Sequence, residues 1–261
     1  MVKNNFNVED WGGYAICYDV LNELVPYQQM FKTIIDNIDL EPGIKILDAA
    51  CGTGNLLYWI QRYTQFVGFD YTGVDFSGEM ISCAKRKGFG QNESFYKVDL
   101  NKQLPFSDET FDFVVSVNTL YAVDNYEDCL KEFYRVLKKG GRLILVTPQN
   151  GYDNSLILKE HCVRLGLPDK WRKKEMNDED WLKLLSEFNI DKTIVFNLQS
   201  VGEFNKIIAA NSKYNFLDID QLLSSILLFK FKIVKKELIY AEQNIFLYVK
   251  REESHDDIKT L

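Results

Sequence analysis

Histidine is almost missing from this chain of 261 residues: His161 and His255 are the only two. That count excludes a metal centre built from several imidazoles. Cysteine is sparse and odd in number. The five thiols, at positions 17, 51, 83, 129 and 162, show no CxxC spacing, so neither a disulfide framework nor a structural zinc site is expected. Free thiols in a reducing cytosol are the simpler reading. Positive charge is short as well. The 31 Lys and Arg face 38 Asp and Glu, a net of −7, which argues against non-specific binding to nucleic acid or an anionic membrane. No apolar run reaches the roughly 18 residues that suggest a membrane span. The richest, from Leu222 to Val234, is broken by Ser224, Ser225, Lys230 and Lys232. The opening MVKNNFNVEDWGGY has neither the basic patch nor the apolar segment of a secretory signal. A cytoplasmic protein is expected.

What is present suits a globular core. Hydrophobic residues make up 46% of the chain, enough for one large domain or one core domain carrying an insertion. Between residues 44 and 147, β-branched apolar runs alternate with amphipathic segments. IKILDAA (44–50), YTGVDF (71–76), SFYKVDL (94–100), FDFVVSV (111–117) and RLILVTP (142–148) read as five strands. Residues 55–63, 78–87 and 126–137 read as helices between them. The last has Leu130, Phe133, Tyr134 and Leu137 on one face, and KKGG (138–141) supplies its stop signal. Strands alternating with helices predict a doubly wound α/β core with a parallel sheet covered on both faces.

Before this core, residues 10–37 carry Trp11, Tyr14, Tyr18, Leu21 and Leu24 at helical spacing, and Pro26 divides them into two helices. After it, residues 150–217 lose the rhythm and are dense in aromatic and charged side chains. FKIVKKELIYA (231–241) and NIFLYVKR (244–251) read as a hairpin turning at Glu242 and Gln243, followed by a polar tail (252–261). WLKLLSEFNIDKTIVF and LLSSILLFKFKIVKKE echo each other faintly, but two copies do not make a repeat protein.

The chemistry is concentrated in Ile46-Leu-Asp-Ala-Ala-Cys-Gly-Thr-Gly-Asn55. A strand ends near Asp48, a tight turn carries Gly52 and Gly54, and a helix follows. Such a turn lets a ligand approach the backbone and offers it unpaired helix N–H groups. A nicotinamide dinucleotide is the first rival ligand, as for an oxidoreductase. G-x-G-x-x-G wants a small third residue, and Leu57 stands there. Asp48 would also repel a pyrophosphate, whereas a cofactor with an amino group and a sulfonium would welcome it.

These residues resemble the class I S-adenosylmethionine-dependent methyltransferases, and most closely the small-molecule branch with the ubiquinone/menaquinone-type C-methyltransferases. The likeness covers roughly residues 10–150 and the last hairpin. LDAACGTGN matches the family's first motif, with Ala50 in place of its more usual first glycine. Asp75, 27 residues beyond Asp48, matches the acidic residue that accepts ribose hydroxyls, and Asp99 in KVDL matches the one that takes the adenine amino group. The resemblance implies a Rossmann-like, mostly parallel seven-stranded sheet and the cofactor S-adenosyl-L-methionine, leaving as S-adenosyl-L-homocysteine. It implies that Asp48, Ala50, Gly52 and Gly54 border the methionine end. Phe76 and Met80 would flank the ribose or adenine, and the Leu100 amide would face the ring. Asn118 would point toward the amino group or the acceptor, and Tyr14 and Tyr18 would lie on a helix folded over the cofactor. Cys51 faces the same turn and is expected to be a small buried side chain.

Domain limits follow: 1–40, N-terminal helices over the cofactor; 41–149, the cofactor-binding core; 150–217, a helical, aromatic substrate lid; 218–251, a final helix and hairpin; 252–261, a frayed tail. The lid would bring Trp171, Trp181, Phe188, Phe196, Phe204, Tyr214 and Phe216, most of them packing the lid itself and two or three touching the acceptor. The basic run KWRKK (170–174) is followed at once by Asp178, Glu179 and Asp180 and reads as a solvated face.

No metal is expected. A small-molecule acceptor is expected, with no nucleic acid or membrane partner, in a monomer or homodimer. The amino-methylating [DNS]-P-P-[YF] signature is absent, with Ser-Val-Asn-Thr at 116–119 instead. Neither a carboxylate cluster for metal-assisted catechol methylation nor the spaced thiols of arsenic methylation is present. Tyr121, His161 and Tyr18 are the candidates for a catalytic group, although displacement at a sulfonium requires mainly alignment and water exclusion. A relative that binds the cofactor without methylating is the alternative.

Overall fold

The structure, a computed structural model, describes residues 8–252 apart from 67, 91, 167–173, 188–189, 212–213 and 215. Trp171, Phe188, most of the KWRKK run and the tail therefore lie outside the described residues.

Seven strands form one sheet in the order β3-β2-β1-β4-β5-β7-β6. They are β1 (Lys45–Ala49), β2 (Asp70–Asp75), β3 (Glu93–Lys97), β4 (Phe111–Val117), β5 (Leu137–Pro148), β6 (Phe231–Ile239) and β7 (Asn244–Arg251). The first five pair in parallel, and β7 lies antiparallel between β5 and β6. The strands are apolar nearly throughout because both faces are covered and successive side chains alternate between them. Ile46, Val115 and Ile144 pack on one face, with α2 (Val25–Ile35) and α3 (Asn55–Thr64). Leu47, Val114 and Leu143 pack on the other, with α5 (Tyr126–Val136) and the last helix, Ile219–Leu228. Fully burying one such side chain contributes about 1.5–3 kcal/mol.

At the amino end, α1 (Val8–Tyr18) runs into a 3-10 turn (Asp19–Glu23), and α2 starts with Pro26 in its first turn. A proline lacks the N–H that this position leaves unpaired in any case. α4 (Gly78–Arg86) connects β2 to β3. Between β5 and the final helix lie α6 (Asn154–Arg164), α7 (Asp178–Glu187) and α8 (Lys192–Ala210), and that final helix is α9. α1 packs against α8 and α4, so the N-terminal helix bridges the core and the segment after β5.

Three local readings change. KKGG does not follow a helix end as a cap. The helix stops at Val136, Leu137 turns to extended geometry and pairs with Phe111, and the ladder resumes only at Phe113–Arg142. The four residues bulge within β5, where Lys138 reaches both Asp112 oxygens at 2.8 Å. β3 ends at Lys97, before Asp99. The hairpin tip takes Tyr240, Ala241 and Glu242 through left-handed geometry, with φ of 55°, 55° and 60°.

Candidate active site

Strand order reverses between β2-β1 and β4-β5, and open α/β sheets bind ligands at the carboxyl ends of strands flanking such a point. The turn after β1 occupies that place. Ala50, Gly52 and Gly54 have φ of 66°, 54° and 80°, a region that suits glycine and costs alanine roughly 1 kcal/mol. The Gly52 amide donates to Asp75 Oδ2 at 2.9 Å, and the Cys51 amide donates to the Val74 carbonyl at 2.9 Å. Asp75 Oδ1 accepts the Ser77 amide at 2.8 Å, and Ser77 Oγ caps α4 by accepting the Met80 amide. One carboxylate thus fixes both the glycine turn and the start of the next helix. Burial pushes its carboxyl up to about 6, against the backbone donors that lower it.

A cavity of about 790 Å3 opens beside the turn. Its core end is formed by Ala50, Gly52, Asp75, Phe76, Met80, Asp99, Leu100 and Asn118, and α1 adds Tyr14 and Tyr18. A Cβ on Gly52 would meet Tyr18 at 3.6 Å, so the α1 ring lies directly over the turn. Asn118, in left-handed geometry at φ 54°, accepts Asn244 Nδ2 at 2.6 Å through its side-chain oxygen. Asp99 Oδ1 accepts the Asn101 amide, and its other oxygen lies 3.3 Å from the exposed Lys102 ammonium.

The far end of the cavity is walled by rings. Tyr121 stacks on Phe216, centroids 5.2 Å apart and planes 9° apart, and Tyr152 lies on the next side of Phe216 at 6.5 Å. Tyr214 meets Tyr121 edge-on at 6.0 Å. Tyr121 is only 8% exposed, and its hydroxyl has no hydrogen-bond partner among the described residues. Burial holds the hydroxyls of Tyr14, Tyr121, Tyr152 and Tyr240 protonated, well above the ordinary tyrosine range, and pushes Tyr18 up to about 12.

Three expected residues do not line this cavity. Asp48 is buried beneath the turn, where Tyr71 donates a short hydrogen bond to it and burial pushes its carboxyl up to about 7. Gly54 faces away, since a Cβ there would meet Phe89 at 3.1 Å and Ala84 at 3.4 Å. Its role is close packing of the turn on α4. His161 is a correction of a different kind. It sits buried on α6, its Nδ1 accepts the Val25 amide at 3.2 Å, and desolvation lowers its pKa to about 4. It accepts the first amide of α2 as a neutral ring and does not line the cavity.

Of the seven aromatics expected to wall the acceptor from the segment after β5, Tyr214 and Phe216 reach the cavity. Trp181 is buried in α7, Phe204 packs on Tyr14, and Phe196 is exposed. Trp11, Tyr152 and Tyr240 were not singled out as site residues, yet they line it. Trp11 shares the helical stripe of Tyr14 and Tyr18, which was a usable signal. Tyr240 needs the left-handed hairpin tip, which no local pattern announces.

The profile described as "Methyltransferase domain" matches residues 47–145. A demethylmenaquinone methyltransferase of Staphylococcus epidermidis (strain RP62A) is 31% identical over 201 residues, covering 73% of this chain and 81% of that one. That of Staphylococcus aureus (strain MRSA252) is 35% identical over 133 residues, 49% of this chain and 54% of its own length. The match thus spans about half of some curated relatives and four-fifths of others. Among solved structures, an S-adenosylmethionine-dependent methyltransferase from Aquifex aeolicus superposes with a TM-score of 0.57 at 15% identity, over 95% of this chain and all of that one, a likeness of fold. The chain belongs to the class I S-adenosylmethionine-dependent methyltransferases, and within them it is similar to the quinone methyltransferases.

Proposed function

We propose that this chain binds S-adenosyl-L-methionine at the core end of the cavity and transfers its methyl group to a small, ring-bearing acceptor held at the aromatic end. The observation that carries the reading is the continuity of one cavity from Gly52 and Asp75 to Tyr121 and Phe216. The core end fits the cofactor. Asp75 keeps lone pairs for ribose hydroxyls beyond its two backbone donors, and Phe76, Met80 and Leu100 offer apolar surface to a purine. Asp99 stands at the end where an exocyclic amine would lie. Asp48 acts through the turn, supporting it from below.

When bound, the cofactor supplies an activated methyl group. The protein aligns donor and nucleophile and keeps water out, an effect worth up to about 7–11 kcal/mol. Tyr14, Tyr18 and Trp11 close the cavity from α1, and Tyr152, Tyr214 and Phe216 close it from the segment 150–217, which we read as the substrate lid. Tyr121 keeps its proton, so it donates a hydrogen bond to an oxygen of the acceptor and does not act as a base. A quinone-type ring is supported by the names of the relatives and by the parallel faces of Tyr121, Phe216 and Tyr152.

The test is incubation with S-adenosyl-L-methionine and reduced quinones of differing ring size, following S-adenosyl-L-homocysteine and methylated product by mass spectrometry. Both products rising together support the reading. Cofactor binding without demethylated product under any acceptor would favour a relative that binds the cofactor without methylating.

A further inference from the structure

Lys87 terminates α4 on the side of the glycine turn away from the cavity, and nothing in the chemistry above uses it. Its side chain is only 19% exposed. Its ammonium lies 2.8 Å from Asn55 Oδ1, 3.0 Å from Asp19 Oδ1 and 3.3 Å from Thr53 Oγ1, and 5.8 Å over the Tyr58 ring. These oxygens belong to three pieces of the fold: the 3-10 turn after α1, the glycine turn itself, and the first residue of α3.

The partners are also joined to one another. Thr53 Oγ1 donates to Asp19 Oδ1 at 2.5 Å, and Asn22 donates to Asn55 Oδ1 at 3.1 Å while accepting the Trp59 indole N–H at 2.7 Å. Asn55 donates to the Tyr27 hydroxyl, which in turn donates to the Tyr18 hydroxyl. Tyr18 is the ring over Gly52. A ligand the size of the cofactor, lying between the glycine turn and α1, is enclosed only while this N-terminal cover stays down. Hydrogen bonds from a cation are stronger than neutral ones, and at a largely covered side chain they are screened less than on the open surface, although Asp19 itself is half-exposed.

We propose that Lys87 is a positioning residue for cofactor binding, clamping Asp19 to Thr53 and Asn55 so that the N-terminal cover holds Tyr14 and Tyr18 over the glycine turn. It rests on the cofactor reading given above. Besides Asp19, titratable groups facing Lys87 include Tyr58 on α3, Cys83 on its own helix and Cys51 in the turn.

The test measures S-adenosyl-L-homocysteine affinity by calorimetry, with amide hydrogen exchange, on the full chain and on K87M and D19N. K87M should weaken binding about tenfold, the order expected for hydrogen bonds to a charged group. Exchange should accelerate over residues 8–23 and stay unchanged in the sheet, a local pattern that general destabilisation does not give. In turnover, KM for the cofactor should rise while KM for the acceptor stays constant. D19N, at a half-exposed position, should reproduce a smaller version of both effects and carries the test if K87M does not fold. Wild-type protein that binds no S-adenosyl-L-homocysteine overturns the cofactor reading and this proposal with it. Wild-type binding matched by folded K87M or D19N, with unaltered exchange over 8–23, overturns the role of Lys87 alone.

Discussion

The amide of Gly52 donates to the carboxylate of Asp75 at 2.9 Å, tying the turn after β1 to the end of β2. The two residues lie 23 positions apart, and the contact makes a single side chain both a structural anchor and the candidate ribose ligand. Asp75→Asn keeps an oxygen for one backbone donor but loses the charge and one acceptor. We expect S-adenosyl-L-homocysteine affinity to fall by roughly 10–100-fold, the range for charge-assisted hydrogen bonds. Calorimetric titration checks this, and an unchanged affinity would remove Asp75 from the site.

Tyr121→Phe keeps the ring stacked on Phe216 and deletes only the unpartnered hydroxyl. kcat/KM for the acceptor should fall about tenfold while cofactor affinity stays constant, because in the proposed function that hydroxyl donates to the acceptor. Steady-state kinetics with each substrate varied in turn separates the two. Equal losses toward both substrates would mean that Tyr121 shapes the whole cavity.

Asp48 carries a folded pKa near 7, above its unfolded value near 3.8, because it is desolvated. A carboxyl that holds its proton in the folded state favours folding at low pH, and that contribution declines as pH rises from about 4 through 7. His161 works in the opposite direction, being neutral in the fold with a pKa lowered to about 4; its contribution is lost as pH falls from 6.5 toward 4. The difference between wild type and Asp48→Asn isolates the first effect. The variant should gain melting temperature relative to wild type as pH rises from 5 to 8, since Tyr71 can still donate to the amide oxygen. A constant difference across that range would mean that Asp48 is ionised in the fold.

Ala50 sits at φ 66°, a left-handed geometry that glycine adopts without strain. Ala50→Gly relieves the steric conflict of Cβ in left-handed geometry but loosens the unfolded chain, leaving a net gain of about 0.5 kcal/mol. Urea unfolding measures it. A loss of that size would show that the Ala50 methyl contributes more by packing than its geometry costs.

The core was legible because its signals are local. Five apolar runs, most of them separated by helices, leave few arrangements of a parallel sheet, and Asp75 falls at the end of β2 by simple counting, whereas Asp99 lies two residues beyond the end of β3. KKGG misled because basic residues followed by glycine are a good helix stop; the pairing of Leu137 with Phe111, a contact across the sheet, overrode it. His161 was undecidable for a related reason. A lone histidine on an amphipathic helix shows its face only when the partner, here the Val25 amide 136 positions away, is known. Gly54 looked like a ligand-facing glycine, yet the space it leaves is filled by Phe89 from beyond α4.

A thermal shift of the purified protein against S-adenosyl-L-methionine, S-adenosyl-L-homocysteine and NAD tests the central claim most directly, since a ligand that binds only the native state must raise the melting temperature. The account predicts a rise with the first two and none with NAD. No rise with either sulfur compound, or a rise with NAD alone, would contradict it.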